Sequence, residues 1–220
     1  MHTMFRGAVF DLDGTLVDNI RWHFEAFRAL ATRLGLVMDE ATFQSFNGLK
    51  NEDIFPRFLG RTLTRAESEA LSDEKEATYR ALYGPRLVAH LGANELLARL
   101  HAGGVKLAVA SSAPPANRNM VLDGLGWNER FDAVVASEGL RGKPAPDVFL
   151  AAAERLGVAP DACIAFEDAE NGVRAAAAAR MLVVGVTTNV PADTLAAAGA
   201  RFTVADFVSL PPDLDAMLPR

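Results

Sequence analysis

The fold is decided by residues 5–18, which read FRGAVFDLDGTLVD. The apolar run that ends at Phe10 is uncharged after Arg6 and rich in strand-forming residues, so it predicts a buried β-strand. Asp11 and Asp13 follow that strand at once. Because open α/β sheets bind ligands beyond the carboxyl ends of their strands, we expect both acids to face a binding crevice. Two acids so close together repel each other and need a cation or a shared proton.

Asp13 and Gly14 also have a purely structural interpretation. An Asp-Gly pair after a strand is typical of an Asx-type turn that only shapes the backbone. A turn accounts for this pair, but it gives no reason for the carboxylate of Asp11 at the end of the strand. Chemistry at Asp11 is therefore the better explanation.

Length and composition are those of an ordinary globular protein. The 220 residues suffice for one core and a small second domain, and 50% are hydrophobic and 23% charged. The net charge of −6 and the lack of a Lys/Arg cluster argue against nucleic acid as a partner. No apolar stretch is long enough for a membrane, and no signal-peptide pattern is visible. The single cysteine, Cys163, lies in an apolar run and is expected in the core, which suits a reducing cytoplasm.

Residues 19–84 carry helical patterns and no convincing strand. The first predicted helix is capped by Asp18-Asn19 and ends at Gly35, and the last covers residues 65–83. Two shorter helices lie between them.

His23 and Lys75 lie on the apolar stripes of two of these helices. For His23, the ordinary alternative to a functional role is a core histidine with one hydrogen bond. Lys75 is separate from the acidic residues around it, such as Glu76. Its amine either snorkels to the edge of the apolar face or meets an anion in a cleft.

From residue 85 onward, strands and helices alternate with short connections. Strands are predicted at 105–110, 131–136, 162–166, 181–186 and 201–204, and helices at 92–101, 116–125, 148–156, 172–180 and 191–198. This alternation predicts a parallel sheet covered on both faces. The sequence therefore predicts an α/β fold. A Rossmann-like catalytic core spans residues 1–18 and 85–220, and a small all-α cap, residues 19–84, is inserted after the first strand.

Reactive side chains lie at, or just beyond, the ends of four predicted strands. They are Asp11 with Asp13, Ser111, Lys143, and Glu167 with Asp168. Strand ends of a doubly wound sheet converge on one crevice. The mixture suits phosphoryl transfer: carboxylates hold Mg²⁺ or attack phosphorus, and a lysine offsets the charge of the transferred group. Each residue alone has an ordinary role in a turn, a loop or a helix cap, but one sheet does not gather all of them by chance.

These segments resemble the four motifs of the haloacid dehalogenase (HAD) superfamily, most of whose members are phosphatases. The matching segments are residues 11–18, Ser111-Ser112, Lys143 in GKPAPD, and residues 166–168 followed by Asn171-Gly172. The resemblance spans the chain from Val9 to Val186.

The resemblance implies a role for each residue. Asp11 is the nucleophile and Asp13 the general acid and base, while Ser111, Ser112 and Lys143 bind the phosphoryl group. Mg²⁺ is held by the carboxylates of Asp11 and Asp168 and the main-chain carbonyl of Asp13. Glu167 is either a further ligand or a residue that orients metal-bound water.

The helical insert resembles the small cap of the β-phosphoglucomutase-like branch, in which closure of the cap excludes water. This implies hinges near residues 16–19 and 83–87. Four residues match cap positions that face the active site in that branch: His23, Lys50, Asn51 and Lys75.

Two departures from the branch disfavour a second phosphate site. Asn51 stands where the sugar-phosphate mutases carry arginine, although Lys50 is adjacent, and residues 113–115 (Ala-Pro-Pro) replace polar residues that follow the second motif. We therefore expect a Mg²⁺-dependent phosphatase of a small phosphate monoester, for example a sugar phosphate, that forms an aspartyl-phosphate. The alternative is a phosphosugar mutase.

Other functions fit less well. Dehalogenation needs neither the acid at Asp13 nor a metal, phosphonate-cleaving members differ after the nucleophile, and a binding module has no use for the whole set. We expect a cytoplasmic monomer or weak homodimer whose partner is a small phosphorylated metabolite, with no nucleic acid and no membrane.

Overall fold

The computed structural model describes residues 5–46 and 48–219. The outermost positions of the predicted core, residues 1–4 and 220, lie outside the described residues. Six strands are present: β1 (Gly7–Phe10), β2 (Lys106–Ser111), β3 (Ala133–Ala136), β4 (Cys163–Glu167), β5 (Leu182–Val186) and β6 (Phe202–Val204). They form one sheet in the order β3-β2-β1-β4-β5-β6, and every pairing is parallel. The predicted parallel sheet is confirmed.

Ten α-helices accompany these strands within the described residues. They are α1 (Ile20–Arg33), α2 (Glu40–Gln44), α3 (Asn51–Leu59), α4 (Arg65–Tyr83), α5 (Ala93–Ala102), α6 (Pro115–Gly124), α7 (Asp147–Leu156), α8 (Glu170–Ala178), α9 (Ala192–Ala198) and α10 (Pro212–Asp215). Most predicted boundaries differ from the observed ones by one or two residues, and α10 was not predicted. None of the described helices is long and apolar enough to cross a membrane.

The central strand β1 places the site. It pairs with β2 on one side and β4 on the other, and all of its residues are buried. Phe10 stacks on Phe166 of β4 with ring centroids 4.6 Å apart. The chain runs outward from β1 through β2 to β3, then returns to β4 on the opposite side. Such a reversal leaves a crevice at the carboxyl ends of β1 and β4, where ligands bind in this class of sheet.

The two faces of the sheet bury separate apolar clusters. Ala8 and Phe10 belong to the cluster that α5 and α6 cover, whereas Val9 belongs to the cluster that α7, α8 and α9 cover. The small alanines of α8, among them Ala175 and Ala176, are buried in the second cluster and allow that helix to lie close to the sheet.

Helices α1 to α4 form a helical insert after β1. Their own apolar cluster includes Phe27, Phe43 and Phe55. Tyr79 and Tyr83 of α4 are instead buried in the cluster of the main core. The insert therefore packs on the core: part of its apolar surface is buried between its own helices, and part is buried against the core.

Asn19 does not cap α1 as predicted. It precedes the helix, but its side chain makes no capping hydrogen bond. The amide nitrogen instead donates to Asp13 and to the hydroxyl of Tyr79. These two partners take the side chain away from the start of the helix.

Candidate active site

The loop after β1 brings Asp11 and Asp13 to the carboxyl edge of the sheet. Gly14 has a φ of +79°, and a Cβ at this position would lie 2.2 Å from Asp168 Oδ2. Glycine is therefore required both by the backbone conformation and by the approach of Asp168. Thr15 donates its hydroxyl to Asp168 Oδ1 at 3.1 Å and leaves Oδ2 free of protein partners.

Lys143 lies between two carboxylates at the base of the site. Its Nζ is 2.5 Å from Asp11 Oδ1 and 2.6 Å from Glu167 Oε1, and the residue is only 4% exposed. Burial alone would lower the pKa of Lys143, but the charges of both acids outweigh it and raise that pKa above its ordinary value. The alternative of a solvated loop lysine is wrong.

Glu167 uses both of its oxygens within the protein. Oε1 accepts from Lys143, and Oε2 accepts from the backbone N–H of Ala169 at 2.8 Å. A Cβ at Gly172 would lie 1.7 Å from Oε1, which accounts for the glycine that follows Asn171. These contacts favour an orienting role for Glu167 over direct metal ligation.

The protein alone does not stabilise the ionised forms of Asp11 and Asp168. Burial, together with the charges of Glu167 and Asp13, raises the pKa of Asp11 to about 7 although Lys143 opposes the shift. Burial and the charges of Glu167 and Asp11 also raise the pKa of Asp168. A cation at this position would favour the ionised form of both carboxylates.

The second predicted motif lies at the end of β2. Ser111 Oγ accepts from the backbone N–H of Ala113 at 3.0 Å, and the hydroxyl of Ser112 is buried without a protein partner. Arg118 donates to the carbonyl of Ala113 and fixes this loop from behind. The hydroxyl of Ser112 is thus available to hydrogen-bond a ligand.

His23 faces the catalytic loop from the insert. Its ring stacks on Tyr79 with centroids 3.8 Å apart, and its Nδ1 is 2.8 Å from Lys75 Nζ. A lysine ammonium only donates, so Nδ1 accepts and the ring proton sits on Nε2. That nitrogen is 3.8 Å from Asp13 Oδ2, an attractive distance but too long for a hydrogen bond. His23 thus makes one hydrogen bond within the protein, and its Nε2 has no protein partner.

Asp13 has a pKa below its ordinary value. Burial would raise this pKa, but the His23 imidazole and the hydrogen bond from the Asn19 amide outweigh burial. The ionised form of Asp13 is therefore favoured by its neighbours on the insert.

Lys75 and Glu76 form a buried ion pair on α4. Lys75 is 3% exposed, and its Nζ lies 2.8 Å from Glu76 Oε1 and 4.6 Å from the centre of the Phe27 ring. Lys75 therefore does not snorkel to solvent. The expectation that Lys75 lies apart from Glu76 is wrong, because the position of Glu76 three and seven residues before Tyr79 and Tyr83 puts it on the buried face as well.

Glu76 receives hydrogen bonds from three elements. Besides Lys75, Asn51 donates to Oε1 and Asn117 of α6 donates to Oε2, each at 2.7 Å. Burial would raise the pKa of Glu76, but the charge of Lys75 and the hydrogen bonds from Lys75 and Asn51 lower it to about 2. The carboxylate is therefore fixed and ionised.

Lys50 and Asn51, at the start of α3, are both engaged. Lys50 Nζ donates to the carbonyls of Ser137 and Leu140 in the core, at 2.8 and 2.7 Å. Besides Glu76, the amide of Asn51 donates to Ser72 at 2.7 Å. Lys50 thus joins the insert to the core, and Asn51 joins α3 to α4, so neither side chain points freely into the site.

One cavity of about 940 Å³ lies between the insert and the core. All predicted site residues line it: Asp11, Asp13, His23, Lys50, Asn51, Lys75, Ser111, Ser112, Lys143, Glu167 and Asp168. Three buried side-chain atoms without a protein partner also belong to lining residues, namely His23 Nε2, Ser112 Oγ and Asp168 Oδ2. Unpaired buried polar atoms are costly, so their presence in one cavity indicates a ligand site.

Sequence reasoning missed the polar residues that support these groups: Thr15, Asn19, Glu76, Tyr79 and Asn117. A signal existed for two of them. Glu76 shares a helix face with two tyrosines, and Asn117 lies four residues before the buried Val121. A polar side chain on an apolar stripe is the pattern that identifies such residues.

Comparison with known proteins decides the family. A family profile described as haloacid dehalogenase-like hydrolase matches residues 5–180. The chain belongs to the haloacid dehalogenase-like hydrolases. The resemblance found in its motifs is thereby confirmed.

The relatives of this HAD hydrolase include phosphatases and a mutase. The fructose-1-phosphate phosphatase YqaB of Escherichia coli is 34% identical, over 84% of this chain and 98% of its own. The β-phosphoglucomutase of Bacillus subtilis is 32% identical, over 84% and 85%. A crystal structure of β-phosphoglucomutase from Clostridium difficile superposes with a TM-score of 0.85 at 27% identity and covers 96% of both chains. The prediction of a phosphoric monoester hydrolase is confirmed at the level of the enzyme class.

Proposed function

We propose that this HAD hydrolase is a Mg²⁺-dependent phosphatase of small phosphate monoesters, with sugar phosphates as its substrate class. One observation carries the proposal: Asp168 Oδ2 is buried without a protein partner in the cavity that Asp11, Asp13 and Lys143 also line. The phosphatase names of several relatives support it.

The residues present fit a magnesium ion. Hard oxygen ligands are available from the carboxylates of Asp11 and Asp168, and the resemblance adds the main-chain carbonyl of Asp13. No group of three His, Cys, Asp or Glu side chains in the described part of the chain holds a metal alone. Mg²⁺ commonly keeps several waters and needs only one or two protein carboxylates. The bound ion would offset the charge of the phosphoryl group.

The chain's own residues supply the covalent steps. The anionic ester that binds beside Asp13 raises the pKa of this carboxyl and so supplies the protonated form that the step needs. The Asp11 carboxylate attacks phosphorus, the bond to the alcohol oxygen breaks, and protonated Asp13 donates its proton to that oxygen. Asp13 then accepts a proton from water, which attacks the aspartyl-phosphate, and inorganic phosphate leaves with Asp11 restored. Ser111, Ser112 and Lys143 bind the phosphoryl oxygens.

Hydrolysis fits the insert better than mutase chemistry. A mutase holds a second phosphate on the insert side. Here Lys50 is bound to core carbonyls, Asn51 to Ser72 and Glu76, and residues 114 and 115 are prolines without an N–H to donate. Position 51 holds an asparagine, so it offers no guanidinium that could bind a second phosphate through two hydrogen bonds.

We further propose that residues 19–84 act as a cap that opens for substrate and closes to exclude water. Lys50 supports this, because its hydrogen bonds join the insert to the core loop 137–140 beside the cavity. The proposed hinges are residues 16–19 and 83–87. A cytoplasmic setting and a monomer or weak homodimer remain part of the same proposal.

The test is a panel of phosphate esters assayed with Mg²⁺ and without it. The panel contains fructose 1-phosphate, hexitol phosphates, glucose 6-phosphate, and β-glucose 1-phosphate with a trace of the 1,6-bisphosphate. We expect inorganic phosphate from at least one monoester, and only with Mg²⁺. Glucose 6-phosphate formed from β-glucose 1-phosphate much faster than inorganic phosphate would make the enzyme a mutase.

A further inference from the structure

Each lysine and arginine that lines the cavity within the described residues has an acidic partner. The pairs are Lys50 with Glu52 at 3.6 Å, Arg65 with Glu69 at 2.6 Å, Lys75 with Glu76 at 2.8 Å, and Lys143 with Asp11 at 2.5 Å. Among the described residues, an anion that approaches the insert side of this cavity meets no free cation, because Lys50 also donates to two core carbonyls and Arg65, 91% exposed, is screened by solvent. The phosphoryl site differs, because a metal and two serines serve it under the proposed function.

The pair formed by Lys75 and Glu76 decides the net charge of the cavity wall that the insert forms. Both side chains are nearly fully buried, with 3% and 6% exposed, so solvent screens their charges weakly. Glu52 and Glu69, by contrast, are 70% and 59% exposed. Of these three acids, Glu76 is therefore the one whose charge acts fully on a bound ligand.

Glu76 is also fixed in place from both sides of the cavity. Asn51 of the insert and Asn117 of the core each donate to it at 2.7 Å. Because Asn117 belongs to the core helix α6, the carboxylate keeps this position while the insert rests on the core. Lys75 Nζ already contacts Glu76 and His23, so it can offer a hydrogen bond but no net charge.

We propose that Glu76 is a specificity-determining residue that rejects substrates with a second anionic group. It cancels the charge of Lys75 and leaves a wall of neutral hydrogen-bonding groups such as Ser68 and Ser72. Hydroxyl groups suit such a wall, whereas a second phosphate would be desolvated without a counter-charge. This inference rests on the proposed function and names its substrate class: hydroxylated monophosphates whose far end is uncharged.

The test compares fructose 1-phosphate with fructose 1,6-bisphosphate, which differ by one phosphate. Binding is measured by titration calorimetry with Mg²⁺ in the Asp11→Asn background, so the result does not depend on turnover. We expect the monophosphate to bind at least about tenfold more tightly, since one uncompensated charge at close range is worth that much. Glu76→Gln should shift this ratio about tenfold toward the bisphosphate. Lys75→Gln should shift it the other way, and the double variant should return it toward the starting value.

Glu74→Gln is the matched control, because Glu74 lies on the same helix but pairs with Arg33 at the surface. Its ratio should not change. Asn117→Ala loosens Glu76 without changing any charge, so it should weaken both ligands and leave the ratio unchanged. The inference is overturned if both Glu76→Gln and Lys75→Gln leave the ratio of the two affinities unchanged. It is also overturned if the two ligands bind equally before substitution, or if the monophosphate does not bind. If no ester of the panel releases inorganic phosphate, the proposed phosphatase function itself is overturned, so the two failures can be told apart.

Discussion

Asn19 donates a hydrogen bond from Nδ2 to Asp13 Oδ1 at 2.5 Å and so joins the start of the insert to the proposed general acid. The same nitrogen contacts the Tyr79 hydroxyl at 2.6 Å, and Oδ1 accepts from the backbone N–H of Gly14 at 2.9 Å. Asn19 is fully buried and lies in the predicted hinge at residues 16–19. A movement of the insert would therefore change the orientation of Asp13 through one side chain.

Asn19→Ala should lower kcat about tenfold while KM changes little, because orienting an acid acts on the proton transfer more than on ground-state binding. Steady-state kinetics on the best ester of the panel measures both constants. Asp18→Asn changes the exposed neighbouring residue and serves as the control. An unchanged kcat in folded Asn19→Ala protein would remove Asn19 from the positioning of Asp13.

Asp11→Asn should abolish turnover, because an amide oxygen does not replace the carboxylate that attacks phosphorus. Asp13→Asn should retain the nucleophile but slow the reaction by about 10²–10⁴, the usual contribution of a general acid. Release of inorganic phosphate and circular dichroism report activity and folding separately. Appreciable hydrolysis by folded Asp11→Asn protein would contradict the covalent mechanism.

Asp168→Asn should have opposite effects on stability and on metal binding. At neutral pH the metal-free variant should melt at a higher temperature than the wild type, because burial and the nearby acids oppose the ionisation of Asp168 in the folded protein, whereas an amide does not ionise. Mg²⁺ should raise the melting temperature of the wild type and not that of the variant, since binding to the native state stabilises it. Thermal melts with chelator and with Mg²⁺ decide this without an activity assay. An equal Mg²⁺ effect in both proteins would exclude Asp168 as a ligand.

The sheet and the catalytic edge could be predicted because both leave local patterns in the sequence. Apolar runs that end in Asp11, Ser111 or Glu167 mark strands and the crevice beyond them. The α4 boundaries, Arg65–Tyr83, agree with the prediction made from the 3–4 spacing of its apolar residues, and the structure adds a Thr64–Glu67 capping box at the start of the helix. Strand order was outside the reach of such patterns, since it depends on pairings between distant segments.

The support around the catalytic groups could not be predicted from the motifs. Asn117 contacts Glu76 across 41 residues and Lys50 contacts Ser137 across 87, so neither partner is visible in the local sequence. For Asn19, its preference for helix caps predicted a capping role, but a buried carboxylate competes for the same amide. Tertiary contacts overrode a correct local preference.

The pKa of Glu76 gives a dependence of stability on pH. It is lowered from 4.5 to about 2 in the folded protein, because the positive charge of Lys75 and the hydrogen bonds to Glu76 outweigh burial. A depressed pKa means that the unfolded chain binds the proton more readily. The stabilisation by ionised Glu76 is therefore complete above about pH 5 and is lost as the pH falls toward 2.

Glu76→Gln should accordingly destabilise the protein most at neutral pH. There it leaves Lys75 buried without its counter-charge, which typically costs about 3–5 kcal/mol in the free energy of unfolding. The difference between wild type and variant should shrink between about pH 4.5 and 2, because the wild type then loses the same charge by protonation. Urea unfolding at several pH values measures it, with Glu74→Gln as the control, whose surface ion pair should contribute about 1 kcal/mol or less throughout. A difference that stays constant down to pH 2 would show that Glu76 acts through packing and hydrogen bonds rather than through its charge.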